Sequence, residues 1–451
     1  MTLRFGTDGM RGLANAELTP ELVLALGRAA ARALAADRVV LGRDTRISGG
    51  LIESALCAGL TAEGVDVTVL GVCPTPAVAW TAAFLGCPGA VISASHNPFG
   101  DNGVKFFAAG GTKLSDDIED AIEAELERVL ADGVPGITDD TRRGPTGDGV
   151  GRVVHDGSAI TGWEDAIVAS VDGRSLAGLS VVVDCANGAA STCAPEVLAR
   201  LGAVAEVVCA EPDGTNINAG CGSTYLDRVR SAVLASGADL GVAFDGDADR
   251  VLFVDARGEM IDGDQLIGML AIDRKARGVL VGDTVVVTVM ANLGFRQGMA
   301  RHGIAIRETP VGDRHVLAAL ESGGWTLGGE QSGHVILRDL ATTGDGLLTA
   351  VHVLDLVARS GRTLRDLADD AMTRLPQVLV NVPTTRRDPA IVEAMGPAIE
   401  KVQRRLGEHG RVLIRPSGTE PLVRVMVEAD EHDTAAAAAD ELVEVVQQLT
   451  G

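Results

Sequence analysis

Short apolar runs alternate with small polar turns along this chain, and one order of elements recurs three times. RVVLGRDTRISG (38–49), SVVVDCANGAA (180–190) and TVVVTVMANLGF (284–295) each pass from a Val-rich run through a polar turn into a helical pattern. A second apolar run ending near proline follows in each: VDVTVLGVCPTP (65–76), AVAEVVCAEPDG (203–214) and IAIRETPVGD (304–313). A third run, a polar turn and a fourth run close each unit, in GAVISASHNPFGDNGVKFF (89–107), DLGVAFDGDADRVLFVD (239–255) and GWTLGGEQSGHVILRD (324–339). Strand, helix, strand, helix, strand, strand in triplicate predicts an α/β protein with three related mixed-sheet α/β domains. After about residue 375 the pattern changes. RVLIRPSGTEPLVRVMVEA (411–429) reads as two strands around a turn, followed by an Ala-rich amphipathic helix, which makes a smaller C-terminal α+β domain.

The expected boundaries are 1–150, 151–255, 256–372 and 373–451, with GDGVGRVVHDG (147–157) as a linker. The charged stretches TDDTRR (138–143) and LADDAMTR (367–374) read as solvated surface. In sheets of this kind ligands lie beyond the strand ends. The three third-strand turns, at Ser95, at 245–249 and at 330–334, are therefore expected to face a shared central cleft.

Length and composition agree with this division. A chain of 451 residues exceeds one core, since domains usually hold about 100–200 residues. The 39 basic against 62 acidic residues give a net charge of −23, and no basic patch with interleaved aromatics exists, which argues against a nucleic-acid partner. An anionic ligand would instead need locally gathered positive charge, from arginines in turns and from Lys105, Lys113, Lys275 and Lys401. Seven cysteines without CxxC or zinc-ligand spacing read as core thiols of a reducing compartment. No window approaches the roughly 20 apolar residues of a membrane span, so neither a membrane partner nor a location other than the cytoplasm is expected.

The turns carry the candidate chemistry. DGDADR sets Asp245, Asp247 and Asp249 at alternate positions between two apolar strands. Three such anions repel unless a cation sits among them, and oxygen donors suit Mg²⁺. An EF-hand is excluded, because its sixth and twelfth positions are here Arg250 and Ala256 rather than Gly and Glu. Ser95 lies in SASHNPFGDNG at the equivalent point of the first repeat, where a phosphate on it would complete that coordination. RPSGTEP combines Arg415, Ser417, Gly418 and Thr419 in a turn able to nest an anion, with Arg424 a second cation on the next strand. Glu330 and Ser332 alternate along GEQSGH and suit paired sugar hydroxyls; His334 in isolation reads as structural. Arg11, in FGTDGMRG, and Arg43 and Arg46, in GRDTRISG, are weak signals by themselves. No lysine follows a glycine, so a GxxxxGK[ST] phosphate loop is absent and a nucleotide donor is not expected.

With FGTDGMRG, SASHNPFGDNGVKFF, DGDADR, GEQSGH and RPSGTEP in this order, nearly the whole chain resembles the α-D-phosphohexomutases. Within them DGTNINAGCGST (213–224), TPVGDRHV (309–316) and TTGDG (342–346) resemble the bacterial phosphoglucosamine mutase branch. The resemblance implies an isomerase converting glucosamine 6-phosphate and glucosamine 1-phosphate through a 1,6-bisphosphate, on the way to UDP-N-acetylglucosamine and peptidoglycan. It implies that Ser95 is the phosphoserine and joins Asp245, Asp247 and Asp249 around one Mg²⁺. Arg11, Lys105 and His334 are implied in proton transfer or charge stabilisation. Glu330, Ser332, Arg250, Arg415, Ser417, Gly418, Thr419 and Arg424 are implied in substrate binding. The partners implied are small hexosamine phosphates, with a homodimer left open. His315 and Tyr225 depart from the branch's usual tyrosine and histidine.

Overall fold

Three apolar runs, Val39 to Leu41, Val181 to Val183 and Val285 to Val287, are almost wholly buried and lie in the interior of three sheets. β-Branched side chains pack well on a pleated surface covered on both faces, which is why these runs become inner strands. The computed structural model describes residues 5–6, 9–131, 144–384, 390–416 and 422–450. The chain divides into two compact units, one of residues 1–289 and 306–368, the other of 290–305 and 369–451.

In the first unit, β1 (Met10–Leu13), β2 (Arg38–Arg43), β3 (Asp66–Val72), β4 (Gly89–Ile92), β5 (Asp101–Phe107) and β6 (Val153–His155) form a sheet of order β1-β5-β4-β2-β3-β6. The next, of β7 (Ser180–Asp184), β8 (Val204–Val208), β9 (Leu240–Phe244), β10 (Val251–Asp255) and β11 (Met260–Ile261), has order β11-β10-β9-β7-β8. β12 (Thr284–Thr288), β13 (Ala305–Thr309), β14 (Leu327–Gly329) and β15 (Val335–Leu337) follow as β13-β12-β14-β15. All three share one topology, in which the repeat's strands stand in the order fourth, third, first, second. The third strand runs parallel to the first and antiparallel to the fourth. The reversal between third and fourth strands therefore falls beyond the same end of every sheet, where the polar turns were expected.

Two sequence readings are corrected. The segment read as a linker contributes β6, whose residues 153–155 pair in parallel with residues 67–69 of β3. Its flanking Gly and Asp signalled turns correctly, but the short Val-Val run between them suffices to extend an existing sheet edge. LADDAMTR is only half solvated: Leu367, Ala368, Ala371 and Met372 are buried while its acids point outward, as in an amphipathic helix, Leu364–Ala371. The stretch 138–143 lies outside the described residues.

The second unit is a sheet of β16 (Gln377–Pro383), β17 (Gly410–Pro416) and β18 (Leu422–Ala429) in the antiparallel order β16-β18-β17. The Ala-rich helix His432–Thr450 covers it, burying Ala435, Ala438, Ala439, Leu442 and Val446 at helical spacing. Glu428 is fully buried here and is satisfied by Arg411 at 2.9 Å, the backbone of Leu293 at 3.1 Å and Asn292 at 3.2 Å. Asn292 also caps the helix Leu293–Arg301, which is how this stretch of the third repeat joins the C-terminal unit. Among the described residues no helix is long and apolar enough to cross a membrane.

Candidate active site

Ser95 ends the run that begins in β4, and its backbone is left-handed (φ 52°), a conformation costing a non-glycine residue about 1–3 kcal/mol. Its surroundings hold it there. The backbone N–H donates to Ser93 Oγ at 2.8 Å, and the carbonyl accepts from Arg46 and from Asn218, both at 2.9 Å. Arg46 is 1% exposed and spans the turn: it donates to the carbonyls of Asn97 (2.8 Å), Pro98 and Asp101 (3.0 Å) as well. Asp44 fixes the guanidinium at 2.9 Å and accepts from Ser93 Oγ at 2.6 Å. Burial pushes the Asp44 carboxyl up, against the opposing charge of Arg46. Hydrogen bonds from a charged donor contribute about 1.5–3 kcal/mol each, so this one arginine offsets the strain of the turn.

The Ser95 hydroxyl donates to Asp245 Oδ2 at 2.6 Å and lies 3.2 Å from His96 Nδ1. Asp245, Asp247 and Asp249 are all buried and each offers an oxygen within 4.8 Å of the others. Two like charges about 4 Å apart repel by about 4 kcal/mol at an effective dielectric of 20, so three ionised carboxylates here need positive charge. Lys105, on β5, donates to Asp247 Oδ2 at 2.8 Å and lies 3.5 Å from Asp249, while Arg250 lies 3.8 Å from Asp249. Asp247 Oδ2 also accepts from Thr75 Oγ1 at 2.6 Å. Burial and the charges of Asp249 and Asp247 nevertheless push the Asp245 carboxyl well up. The Oδ1 atoms of Asp247 and Asp249 are buried without a hydrogen-bond partner among the described residues. Three clustered carboxylates, two of them with an oxygen that no described residue hydrogen-bonds, fit a divalent cation such as Mg²⁺. The backbone supports this loop closely: Ala189 N–H donates to the Gly246 carbonyl at 2.9 Å, and a Cβ at Gly188 would stand 2.4 Å from that oxygen.

His334, following β14, is 2% exposed between two acids, with Nδ1 3.7 Å from Asp249 and Nε2 3.6 Å from Asp313. Burial lowers its pKa, but the Asp249 contact and the charge of Asp313 outweigh this and raise it. Gly344 lies against the ring, where a Cβ would be 2.4 Å from Cε1. His96 shifts the other way, lowered by burial and by the charges of Arg250 and Arg11. Glu330 Oε1 accepts from Gly312 N–H at 3.0 Å, and Ser332 is exposed.

The three turns thus meet: Ser95 with Asp245, and Asp249 with Lys105, Arg250 and His334. Arg11 stands on β1 opposite Gly103 of β5. In the second unit, Arg415 and Arg424 face each other across β17 and β18, whereas Ser417, Gly418 and Thr419 lie outside the described residues. Sequence reasoning missed Asn218, Thr75 and Asp313, and undervalued Arg46. The signal available for Arg46 was the pair of arginines in GRDTRISG; Arg43 instead pairs with Glu53 at 3.1 Å.

Four family models match the chain in succession. They are phosphoglucomutase/phosphomannomutase alpha/beta/alpha domain I at residues 2–131, domain II at 162–258, domain III at 262–375 and the C-terminal domain at 379–445. The phosphoglucosamine mutases of Kineococcus radiotolerans and Thermobifida fusca are each 51% identical to it, over 99% of this chain and 99% and 98% of theirs. A phosphoglucomutase/phosphomannomutase family protein from Burkholderia thailandensis superposes with a TM-score of 0.80 at 25% identity, covering 98% of this chain and 97% of its own. The fold is also that of Aspergillus fumigatus N-acetylphosphoglucosamine mutase, solved with GlcNAc-6P and magnesium (TM-score 0.71, 20% identity, 100% and 96% coverage).

Proposed function

This chain belongs to the phosphoglucomutase/phosphomannomutase family, and from that membership we propose that it interconverts glucosamine 6-phosphate and glucosamine 1-phosphate. It is an isomerase acting by phosphoryl transfer, and relatives half identical over their full length support the amino-sugar substrate. The observation that carries the chemistry is the 2.6 Å bond from the Ser95 hydroxyl to a buried aspartate of the three-carboxylate loop.

In the working cycle Ser95 carries a phosphoryl group. It passes to the free hydroxyl of the sugar phosphate, whose proton leaves, giving glucosamine 1,6-bisphosphate; this turns, and its other phosphoryl group returns to Ser95 Oγ. Asp245, Asp247 and Asp249, with a phosphoserine oxygen, are the groups that would hold one Mg²⁺. Its charge would offset that of the transferring phosphoryl oxygens. Lys105 is already bound between Asp247 and Asp249 and serves as fixed charge. His334 Nε2 makes no hydrogen bond among the described residues and is better placed to exchange the hydroxyl proton. Arg11 and Arg250 add positive charge beside His96. Glu330 and Ser332 would take sugar hydroxyls, and Arg415, Ser417, Gly418, Thr419 and Arg424 the phosphate that is not reacting. The product would feed synthesis of UDP-N-acetylglucosamine and so of peptidoglycan.

A coupled assay over the 6-phosphates of glucosamine, glucose and mannose, primed with bisphosphate, tests the reading. Glucosamine 6-phosphate should give the highest kcat/KM. Equal or faster turnover of glucose or mannose 6-phosphate would instead make the enzyme a phosphoglucomutase or phosphomannomutase of the same fold.

A further inference from the structure

A second group of ligand-type side chains lies apart from the carboxylate loop. Asp184 ends β7, Cys209 directly follows β8, and Cys221 belongs to the connection leading to the helix Asp227–Ser236. One oxygen and both sulfurs lie within 4.8 Å of one another. Asp184 and Cys221 are buried, and Cys209 is half-buried, so the cluster has a closed back and one face toward solvent. The spacing of these cysteines in sequence gave no sign of this, because the parallel pairing of β7 with β8 sets Asp184 opposite Val208.

From this arrangement we infer that Asp184, Cys209 and Cys221 form a second cation site, selective for a thiophilic divalent ion such as Zn²⁺. Two sulfurs and one oxygen are a borderline-soft donor set that Mg²⁺ disfavours and Zn²⁺ accepts. Tetrahedral zinc with Zn–S bonds of about 2.3 Å needs its sulfurs about 3.8 Å apart, a spacing compatible with the observed cluster. The carboxylate is already oriented: its Oδ1 accepts from Ala186 N–H at 2.8 Å and its Oδ2 from Gly222 N–H at 2.9 Å, and each oxygen keeps a second lone pair. The half-exposed side at Cys209 admits the ion and leaves water the fourth position. Arg228 is close enough to act on all three groups and balances the anionic complex. Both cysteines would bind the ion as thiolates, so the cation displaces protons as it binds.

The site sits on the framework of the active centre. Asn218, three residues before Cys221, donates its backbone N–H to the Ala186 carbonyl at 2.9 Å and its side chain to the Ser95 carbonyl at 2.9 Å. Ligation would pin this segment to the end of β7, and with it the residue that steadies the serine turn.

Zinc added to the full chain in excess Mg²⁺ tests the inference, with ions counted by native mass spectrometry, thiols mapped by alkylation and unfolding followed thermally. We expect one retained Zn²⁺, protection of Cys209 and Cys221 from alkylation, proton release and a raised Tm. Cys209→Ser should lose all four effects while keeping its Mg²⁺-dependent turnover in zinc-free buffer, which shows that it is folded. A wild-type chain that retains no zinc would overturn the proposal. So would zinc uptake unchanged in Cys209→Ser but lost in Asp247→Asn, which would place the ion on the carboxylate loop.

Discussion

The serine turn and the aspartate turn occupy the same place in two copies of one topology, and each contains a left-handed non-glycine residue, Ser95 (φ 52°) or Ala248 (φ 56°). They differ in how their polar atoms are satisfied. Around Ser95, the carbonyl finds donors in Arg46 and Asn218 and the hydroxyl donates to Asp245, so the turn is held from outside and its nucleophile points one way. In the aspartate turn the backbone is braced, yet two buried carboxylate oxygens find no donor among the described residues. A fully satisfied turn specifies a position; an unsatisfied one specifies a ligand. The shared topology brings both to one place, and the side chains decide which does which.

The largest effect should come from removing the group that the serine turn positions. Ser95→Ala should lower turnover by a factor on the order of 10⁴ or more. Intact mass after incubation with glucosamine 1,6-bisphosphate should show a phosphoryl group on wild type and none on the variant. Retained turnover would remove Ser95 from the chemistry.

Asp247→Asn tests the other side. It removes one carboxylate of the cation site and should weaken Mg²⁺ binding and turnover by about 10²-fold or more, measured by calorimetry and steady-state kinetics. Its Tm should not fall greatly in the absence of metal, because relieved repulsion compensates for the lost Lys105 pair. Full activity after exhaustive chelation would contradict the reading of that turn as a ligand site.

Arg46→Lys distinguishes positioning from chemistry, because an ammonium cannot reach the several carbonyls that one guanidinium spans. We expect kcat to fall by about 10- to 100-fold with little change in KM, and stability to fall by about 3–5 kcal/mol. A drop in stability alone, with kcat intact, would make Arg46 structural only.

The smallest effect on catalysis belongs to Asp345. Its carboxylate is fully buried, caps the helix Gly346–Ser360 through Leu348 N–H and accepts from Trp163 Nε1 at 2.9 Å. Burial pushes its pKa from 3.8 to about 6. A raised carboxyl pKa favours the protonated folded state, so this contribution is present below about pH 4 and is lost as pH rises to about 6, amounting to about 3 kcal/mol. Asp345→Asn should remove this part of the pH dependence in denaturant unfolding between those values. An unchanged slope would show that Asp345 is not the titrating group.

Much was legible in the sequence because it is written in local patterns. Alternation and turn residues gave the three repeats and the different tail, and alternate carboxylates gave the cation loop. The resemblance supplied roles for Lys105 and His334, which the structure brings to Asp249. Less local facts were hidden. The run around Val153 and Val154 looked like a linker because only β3, more than 80 positions earlier, offers it hydrogen bonds. Cys209 and Cys221 looked like separate core thiols, and Arg46 like one of two turn arginines.

The sequence by itself therefore determined the order of elements, the chemical type of each turn and the family. Those depend on side-chain periodicity and on residues a few positions apart. Tertiary structure alone decided which turns meet, which arginine clamps the serine turn and which carboxylate oxygens find no donor among the described residues. Burial, hydrogen-bond satisfaction and charge pairing are properties of neighbours in space. Here those neighbours, such as Ser95 and Asp245, stand 150 positions apart along the chain.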